Sequence, residues 1–171
     1  MSFAPPLGVR RRDDGRYSVR LPPHERSVLV SLPSHVLALA RAGDPSTVRL
    51  FPPAYLEDID AEAEYVALSR SELMEGCAAS LETFRKTVQS EVLNQEQALA
   101  WMRALNQIRL VIGTKLDIQE NEPYPDPATV SAEDVRSQGM LLYGYLTWLQ
   151  SELIEAVSAE QAGGDSPDVA E

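Results

Sequence analysis

The chain has 171 residues, 44% of them apolar and 24% charged, which are proportions typical of a globular protein. Its formal net charge of −11 disfavours general nucleic-acid binding, because Lys and Arg must neutralise phosphate in such complexes. There is no apolar run of about 18 residues and no apolar N-terminal signal, so we expect neither a membrane span nor secretion.

The N-terminal part predicts a basic β-hairpin. Residues 1–6 end in a proline pair, and we expect them to form a flexible arm. Asp13-Asp14-Gly15 then lies between two β-tolerant runs, a pattern typical of a hairpin turn. Alternation along the two strands puts one set of arginines on a single face: Arg10, Arg12, Arg16 and Arg20. Eight arginines and four acids give residues 1–49 a charge of +4, whereas the remainder carries −15.

The predicted hairpin also needs a surface on which to pack. A lone strand pair has two exposed edges, and such edges are usually covered or paired. We therefore expect residues 7–21 to dock on the acidic helices of the same chain or of a second copy, the latter forming a homodimer. The alternative is that the basic face stays available for DNA.

A helix follows over residues 23–42 and ends at Gly43, a residue typical of helix C-termini. Pro33 lies inside this segment and predicts two helical pieces or a kink. Asp44-Pro45 has the form of a cap and first residue, which predicts a short helical turn.

Five acids form a cluster whose spacing is similar to that of a calcium loop: Glu57, Asp58, Asp60, Glu62 and Glu64. The loop's glycine is missing, and Ser69 stands where a bidentate glutamate belongs, so we interpret the acids as a helix start. A helix over 61–68 and a second one from Ser69 are predicted, because residues 69–72 resemble a capping box. The second helix presents an apolar stripe: Leu73, Cys77, Leu81, Phe84 and Val88.

Residues 94–116, after a polar break near 89–94, predict the central helix of the fold. Apolar residues cover most of its circumference, as is typical of a helix surrounded by others. Asn106 and Arg109 interrupt this surface one turn apart. We interpret Arg109 as an ion-pair partner or a side chain that reaches water, and a binding contact is the alternative for both residues.

A proline-rich loop leads to the last helix, for which Ser131 is the predicted cap. Trp148 lies on a flank of this helix and is a candidate surface or interface aromatic. Residues 159–171 are expected to be a disordered acidic tail. The apolar face contains Val135, Leu142, Tyr145, Leu146, Leu149, Leu153 and Val157. The sequence thus predicts a mainly α fold, a bundle of about four to six helices with an N-terminal β-hairpin, as a single domain over 7–158.

The sequence contains no catalytic, cofactor-binding or metal-binding motif that we recognise. Two histidines and one cysteine lack metal-ligand spacing, so we do not expect an enzyme. Cys77 has no partner for an internal disulfide, which fits a reducing cytoplasm. Its place on the apolar stripe favours an inert core thiol, and the alternative is a sensor oxidised to a sulfenic acid or an intermolecular disulfide.

Three segments carry a resemblance to a known family: RLFPPAY (49–55), ALAWMRALNQIRLVIGTKL (98–116) and YGYLTWLQSELIEAV (143–157). Over most of residues 7–157 the chain resembles the actinobacterial domain-of-unknown-function family DUF2017, whose members are often labelled AosR, actinomycete oxidative stress regulator. The resemblance implies a small cytoplasmic protein that responds to oxidants and acts on transcription through an RNA polymerase sigma factor. Where a member senses oxidants through an internal disulfide, Cys77 alone cannot do so here.

Two other functions stay open. Genes of the family tend to lie beside the adaptor of the Clp protease, which implies an accessory factor or adaptor of that system. The remaining alternative is a small enzyme whose site has no recognisable motif.

Overall fold

The structure is a computed structural model that describes residues 7–162, so the predicted arm (1–6) and most of the predicted tail (163–171) lie outside the described residues. Within that range the chain is mainly helical, as predicted, with an N-terminal antiparallel strand pair. The elements in chain order are β1 (Gly8–Arg11), β2 (Tyr17–Arg20), α1 (Pro23–Ala42), a 3₁₀ helix (Pro45–Leu50), α2 (Ile59–Thr87), β3 (Val92–Leu93), α3 (Gln95–Lys115) and α4 (Val135–Ala162).

The predicted hairpin is confirmed, but it belongs to a three-stranded sheet. Val9 pairs with Val19, and Gly15 accepts a φ of 75° in the turn. β3 pairs with the other side of β2, with Leu93 opposite Tyr17. The sheet order is therefore β1-β2-β3, and the expectation of two exposed hairpin edges is wrong because β3 covers the edge of β2. The sequence pattern predicts a polar break near residues 89–94, where this third strand lies.

The hairpin packs on its own chain through its apolar face, whereas its four predicted arginines stay exposed and do not meet the acidic helices. Val9, Tyr17 and Val19 are buried in the main hydrophobic cluster. β1 contacts α4, and Gly8 lies so close to this helix that a Cβ there would be 2.2 Å from Oε2 of Glu152. The apolar face of the hairpin is thus part of the core.

Helix α1 runs without a break through Pro33, so the two-piece alternative is wrong. Proline removes a single backbone donor, and burial of Pro33 together with Leu29 and Val36 stabilises the continuous helix. The predicted ends are confirmed. Gly43 has a φ of 67° at the C-cap, and the Asp44 carboxylate accepts a 2.9 Å hydrogen bond from the N–H of Ser46 in the 3₁₀ helix.

Helix α2 starts where the acids predicted a helix start. Asp58 caps it by accepting a 3.0 Å hydrogen bond from the N–H of Ala61. The second start predicted at Ser69 is wrong, because α2 continues to Thr87 and the capping-box pattern there lies inside a helix. The apolar stripe is confirmed from Cys77 to Val88, whereas Leu73 is 42% exposed.

Helix α3 is central, as predicted, and contacts α1, α2, α4 and the 3₁₀ helix. Asn94 and Gln97 form a reciprocal capping box at its start. Trp101 is fully buried, with its ring 4.6 Å from that of Phe84 and its Nε1 donating to Oγ1 of Thr87 at 2.7 Å.

Helix α4 begins later and ends later than the sequence predicted. Asp134, not Ser131, caps it, with its carboxylate 3.0 Å from the N–H of Ser137. The reason is local, since Asp134 is the residue adjacent to the first helical turn. Val135 is 73% exposed and therefore not part of the apolar face. The helix reaches Ala162, past the position at which the disordered tail was expected to begin.

Candidate interaction surfaces

Residues 51–76, which we call the acidic arm, comprise the loop before α2 and the first half of that helix. No residue in this range is buried, whereas the second half of α2 contributes four buried residues to the core. The arm contains seven acids and one base, a net charge of −6. More than half of the molecule's formal charge of −11 is thus carried by a segment of which only Phe51, at its start, packs against the core.

The arm has its own local packing. The Glu62 carboxylate accepts hydrogen bonds from the N–H groups of Ala54 at 2.9 Å and Tyr55 at 2.8 Å. The rings of Tyr55 and Tyr65 meet edge to face at 6.1 Å. These contacts fold the loop back on the start of α2.

Large apolar side chains are exposed among the acids of the arm. Leu56 is 83% exposed, Ile59 is 86% exposed and Leu68 is 75% exposed. Exposed apolar groups bordered by polar residues are typical of protein interaction sites. The arm therefore combines the two properties of an electrostatically steered docking surface, apolar anchors and charge of a single sign.

The predicted arginines lie on the outward face of the sheet, opposite the buried Val9 and Tyr17, and all four are exposed. We call this the arginine face: Arg10, Arg12, Arg16 and Arg20. Asp14 is 2.7 Å from Arg16 and 3.3 Å from Arg12 across the turn. Hydrogen bonds from Arg16 lower the pKa of Asp14 to about 2.

Arg10 and Arg20 make no ion pair with any described residue. A cavity of about 590 Å³ adjoins the arginine face, lined by Arg12 and Arg20 together with Arg26 of α1. Apolar groups complete much of the wall, among them Leu7, Pro22, Pro23 and Val92. The cavity is thus both basic and apolar.

Arg26 is a structural residue that the sequence analysis did not identify. It is 7% exposed, and its guanidinium donates to the backbone carbonyls of Val19, Leu21, Val88 and Ser90. It thereby joins β2 to the end of α2. The four acceptors are backbone carbonyls, which every residue has. The sequence therefore could not indicate which carbonyls Arg26 binds.

Cys77 is buried at the point where the acidic arm joins the core. Burial raises the pKa of its thiol, which disfavours the reactive thiolate. The residue also lines a cavity of about 650 Å³ together with Arg103, Gln107 and Ser80. A sensing role for Cys77 stays a prediction.

Arg109 lies in the interface between α3 and α4. Its guanidinium donates to Thr147 at 2.9 Å, to Gln150 at 2.5 Å and to Tyr143 at 3.4 Å, and it lies 5.0 Å from the centre of the Tyr143 ring. No acid within residues 7–162 pairs with Arg109, so neutral acceptors on α4 take the place of the ion-pair partner that was one of our two expectations. Asn106, one turn earlier, is exposed.

Residues 7–162 contain no cluster of three or more His, Cys, Asp or Glu placed to hold a metal ion. His24 and His35 are both exposed on α1. Among the helices described, none is long and apolar enough to cross a membrane.

Comparison with protein-family models matches residues 7–157 with the family described as Domain of unknown function (DUF2017). No curated protein and no solved structure matches the chain. The description of the family names no activity.

Proposed function

The chain belongs to the DUF2017 family, and from the surfaces that it exposes we propose that it is a non-catalytic interaction protein whose acidic arm docks on a basic surface of a partner protein. The observation that carries this proposal is the exposure of Leu56 and Ile59 within a segment of net charge −6. Burial of these two aliphatic side chains on a partner contributes to the affinity. The surrounding carboxylates raise the association rate and orient the two proteins as they approach.

The partner that the family resemblance favours is an RNA polymerase sigma factor. In that reading the protein is an oxidative-stress-linked regulator of transcription in the cytoplasm, and it acts by protein contact. An acidic helix laid against a basic, partly apolar groove is a common mode of recognition between proteins. The arginine face is the surface that remains for DNA or an acidic partner in the same assembly.

The test is a direct binding measurement with purified sigma factor and RNA polymerase core at low and high ionic strength. Glu57→Gln, Asp60→Asn and Glu64→Gln together remove three exposed charges from the arm. They leave intact the cap at Asp58 and the loop contacts of Glu62. At low ionic strength we expect the triple variant to bind at least about tenfold more weakly than the unmodified protein. At high ionic strength the difference in affinity should be smaller, because salt screens the charges.

A matched control removes the same charge elsewhere, through Glu120→Gln, Glu133→Gln and Glu155→Gln, all exposed and outside the arm. The control should bind as the unmodified protein does. Equal losses in both triple variants would mean that overall charge, and not the arm, determines binding. Recovery of Clp components instead of sigma factor from cells, with and without peroxide, would replace the transcription proposal with the proteolysis one.

A further inference from the structure

We propose that the acidic arm of one copy of this protein docks into the arginine-lined cavity of a second copy. Both halves of this contact are present in one chain. Each copy therefore offers an arm and a cavity, and a twofold arrangement satisfies both contacts at once.

The cavity suits an acidic, apolar segment better than a simple anion. Arg12 and Arg20 line it, and Glu91 is the one acid among its described lining residues. Arg26 also borders the cavity, but its guanidinium is already occupied by four backbone carbonyls. Arg20 has no ion pair within residues 7–162 and is the cation available for a ligand. Leu7, which is 56% exposed, adds an apolar wall.

Residues 55–60, Tyr-Leu-Glu-Asp-Ile-Asp, have the complementary chemistry. Leu56 and Ile59 are the most exposed of the large apolar side chains in the described range, and Glu57 and Asp60 lie beside them. Seating the apolar pair against Leu7 and the prolines of the cavity removes apolar surface from water. The carboxylates then lie within reach of the unpaired arginine, in a contact between opposite charges.

A second copy is the occupant that the charges favour. None of the described residues that line the cavity belongs to the acidic arm, so within one chain the arm does not cover the cavity. The arm is strongly acidic, and the arginine face is the basic part of a chain whose net charge is −11. Two copies brought together arm to cavity therefore pair opposite charges, whereas arm against arm would repel.

This contact uses the same arm as the proposed function, and self-association would compete with partner binding. The two proposals are nevertheless separable, because one concerns the mass of the protein alone and the other its affinity for a sigma factor. A protein that stays monomeric but binds its partner through the arm refutes the dimer and leaves the proposed function standing. A protein that dimerises through the arm but does not bind sigma factor refutes the proposed function and leaves the dimer standing.

The experiment is sedimentation velocity of the full chain over a range of concentrations. At low ionic strength we expect a species of twice the 18.9 kDa of one chain, and its population should fall as salt is added. Arg20→Glu in the cavity and Glu57→Lys in the arm should each weaken self-association by about tenfold or more. Both residues are exposed, and the thermal melting of each variant checks that it is folded.

Mixing the two variants provides the decisive measurement. In a dimer with one copy of each variant, the arm that carries Glu57→Lys faces the cavity that carries Arg20→Glu. The second contact of this dimer joins an unmodified arm to an unmodified cavity. Both contacts then pair opposite charges, so we expect association to return. Arg49→Glu mixed with Glu120→Lys, an exposed pair outside both surfaces, should associate as the unmodified protein does. A monomer at every salt and protein concentration, or a mixture that stays monomeric, would overturn the proposal.

Discussion

The hydroxyl of Tyr145 donates a 2.6 Å hydrogen bond to Oε2 of Glu25, and so joins two helices through residues 120 positions apart. Tyr145 is partly buried between α1 and α4. Burial, and after it the hydrogen bond to Glu25, raises the pKa of Tyr145 well above its ordinary value. The pair is therefore both a packing contact and a source of pH dependence.

We expect Tyr145→Phe to lower the free energy of unfolding by about 1.5 kcal/mol near neutral pH, because Glu25 loses a donor. In the unfolded chain a tyrosine loses its proton near a pH of about 10, while folded Tyr145 keeps it. The stabilisation is thus complete below that pH and declines as the pH rises above it. Urea unfolding at neutral and alkaline pH should show the two proteins converging. Tyr124→Phe, at an exposed ring, is the control, and a constant difference at both pH values would contradict the assignment.

Trp101 should be the side chain on which stability depends most. Trp101→Ala removes a fully buried indole, its edge contact with Phe84 and its hydrogen bond to Thr87, and should cost about 3–5 kcal/mol. The second tryptophan provides the control, because Trp148 is 39% exposed and its replacement by Ala should cost far less. Chemical denaturation measures both, and similar costs would show that α3 is not the centre of the core.

Arg109 should stabilise the contact between α3 and α4 through geometry as well as charge. Arg109→Lys keeps the charge but cannot donate to Tyr143, Thr147 and Gln150 together, so we expect a loss of about 1–3 kcal/mol. Arg103→Lys, at an exposed position on the same helix, should be nearly neutral. If both variants unfold at the same denaturant concentration as the unmodified protein, Arg109 does not hold the two helices together.

Gly8 should tolerate alanine less well than Gly15, although both have positive φ. A Cβ at Gly15 meets nothing within 4 Å, so Gly15→Ala carries backbone strain alone, about 1–2 kcal/mol. A Cβ at Gly8, where φ is 114°, would also overlap the Glu152 carboxylate. Thermal melting should therefore show a larger loss for Gly8→Ala, partly recovered by adding Glu152→Ala. No recovery in the double variant would assign the whole cost to the backbone.

Local signals in the sequence were sufficient for most of the elements. Gly43 and Asp44 predicted helix ends correctly, and the acids of 57–64 predicted a helix start, because caps and end charges act on neighbouring residues. The alternation of Val9 with arginines predicted which face of the hairpin is basic, since side chains alternate along a strand. Two local signals did not end a helix. At Pro33 the burial of Leu29, Pro33 and Val36 favours the continuous helix, whereas at Ser69 the helix continues although no residue of 59–76 is buried.

The surfaces proposed here depend on relationships between distant parts of the chain. The sequence by itself determined that the protein is helical, that α3 is central and where its charges lie, because these follow from composition and periodicity. Only the tertiary structure decided that β3 completes the sheet, that Arg26 satisfies four carbonyls and that the first half of α2 stays outside the core. Strand pairing, burial and exposure depend on which distant segments come into contact, and a single sequence carries no direct signal for those contacts.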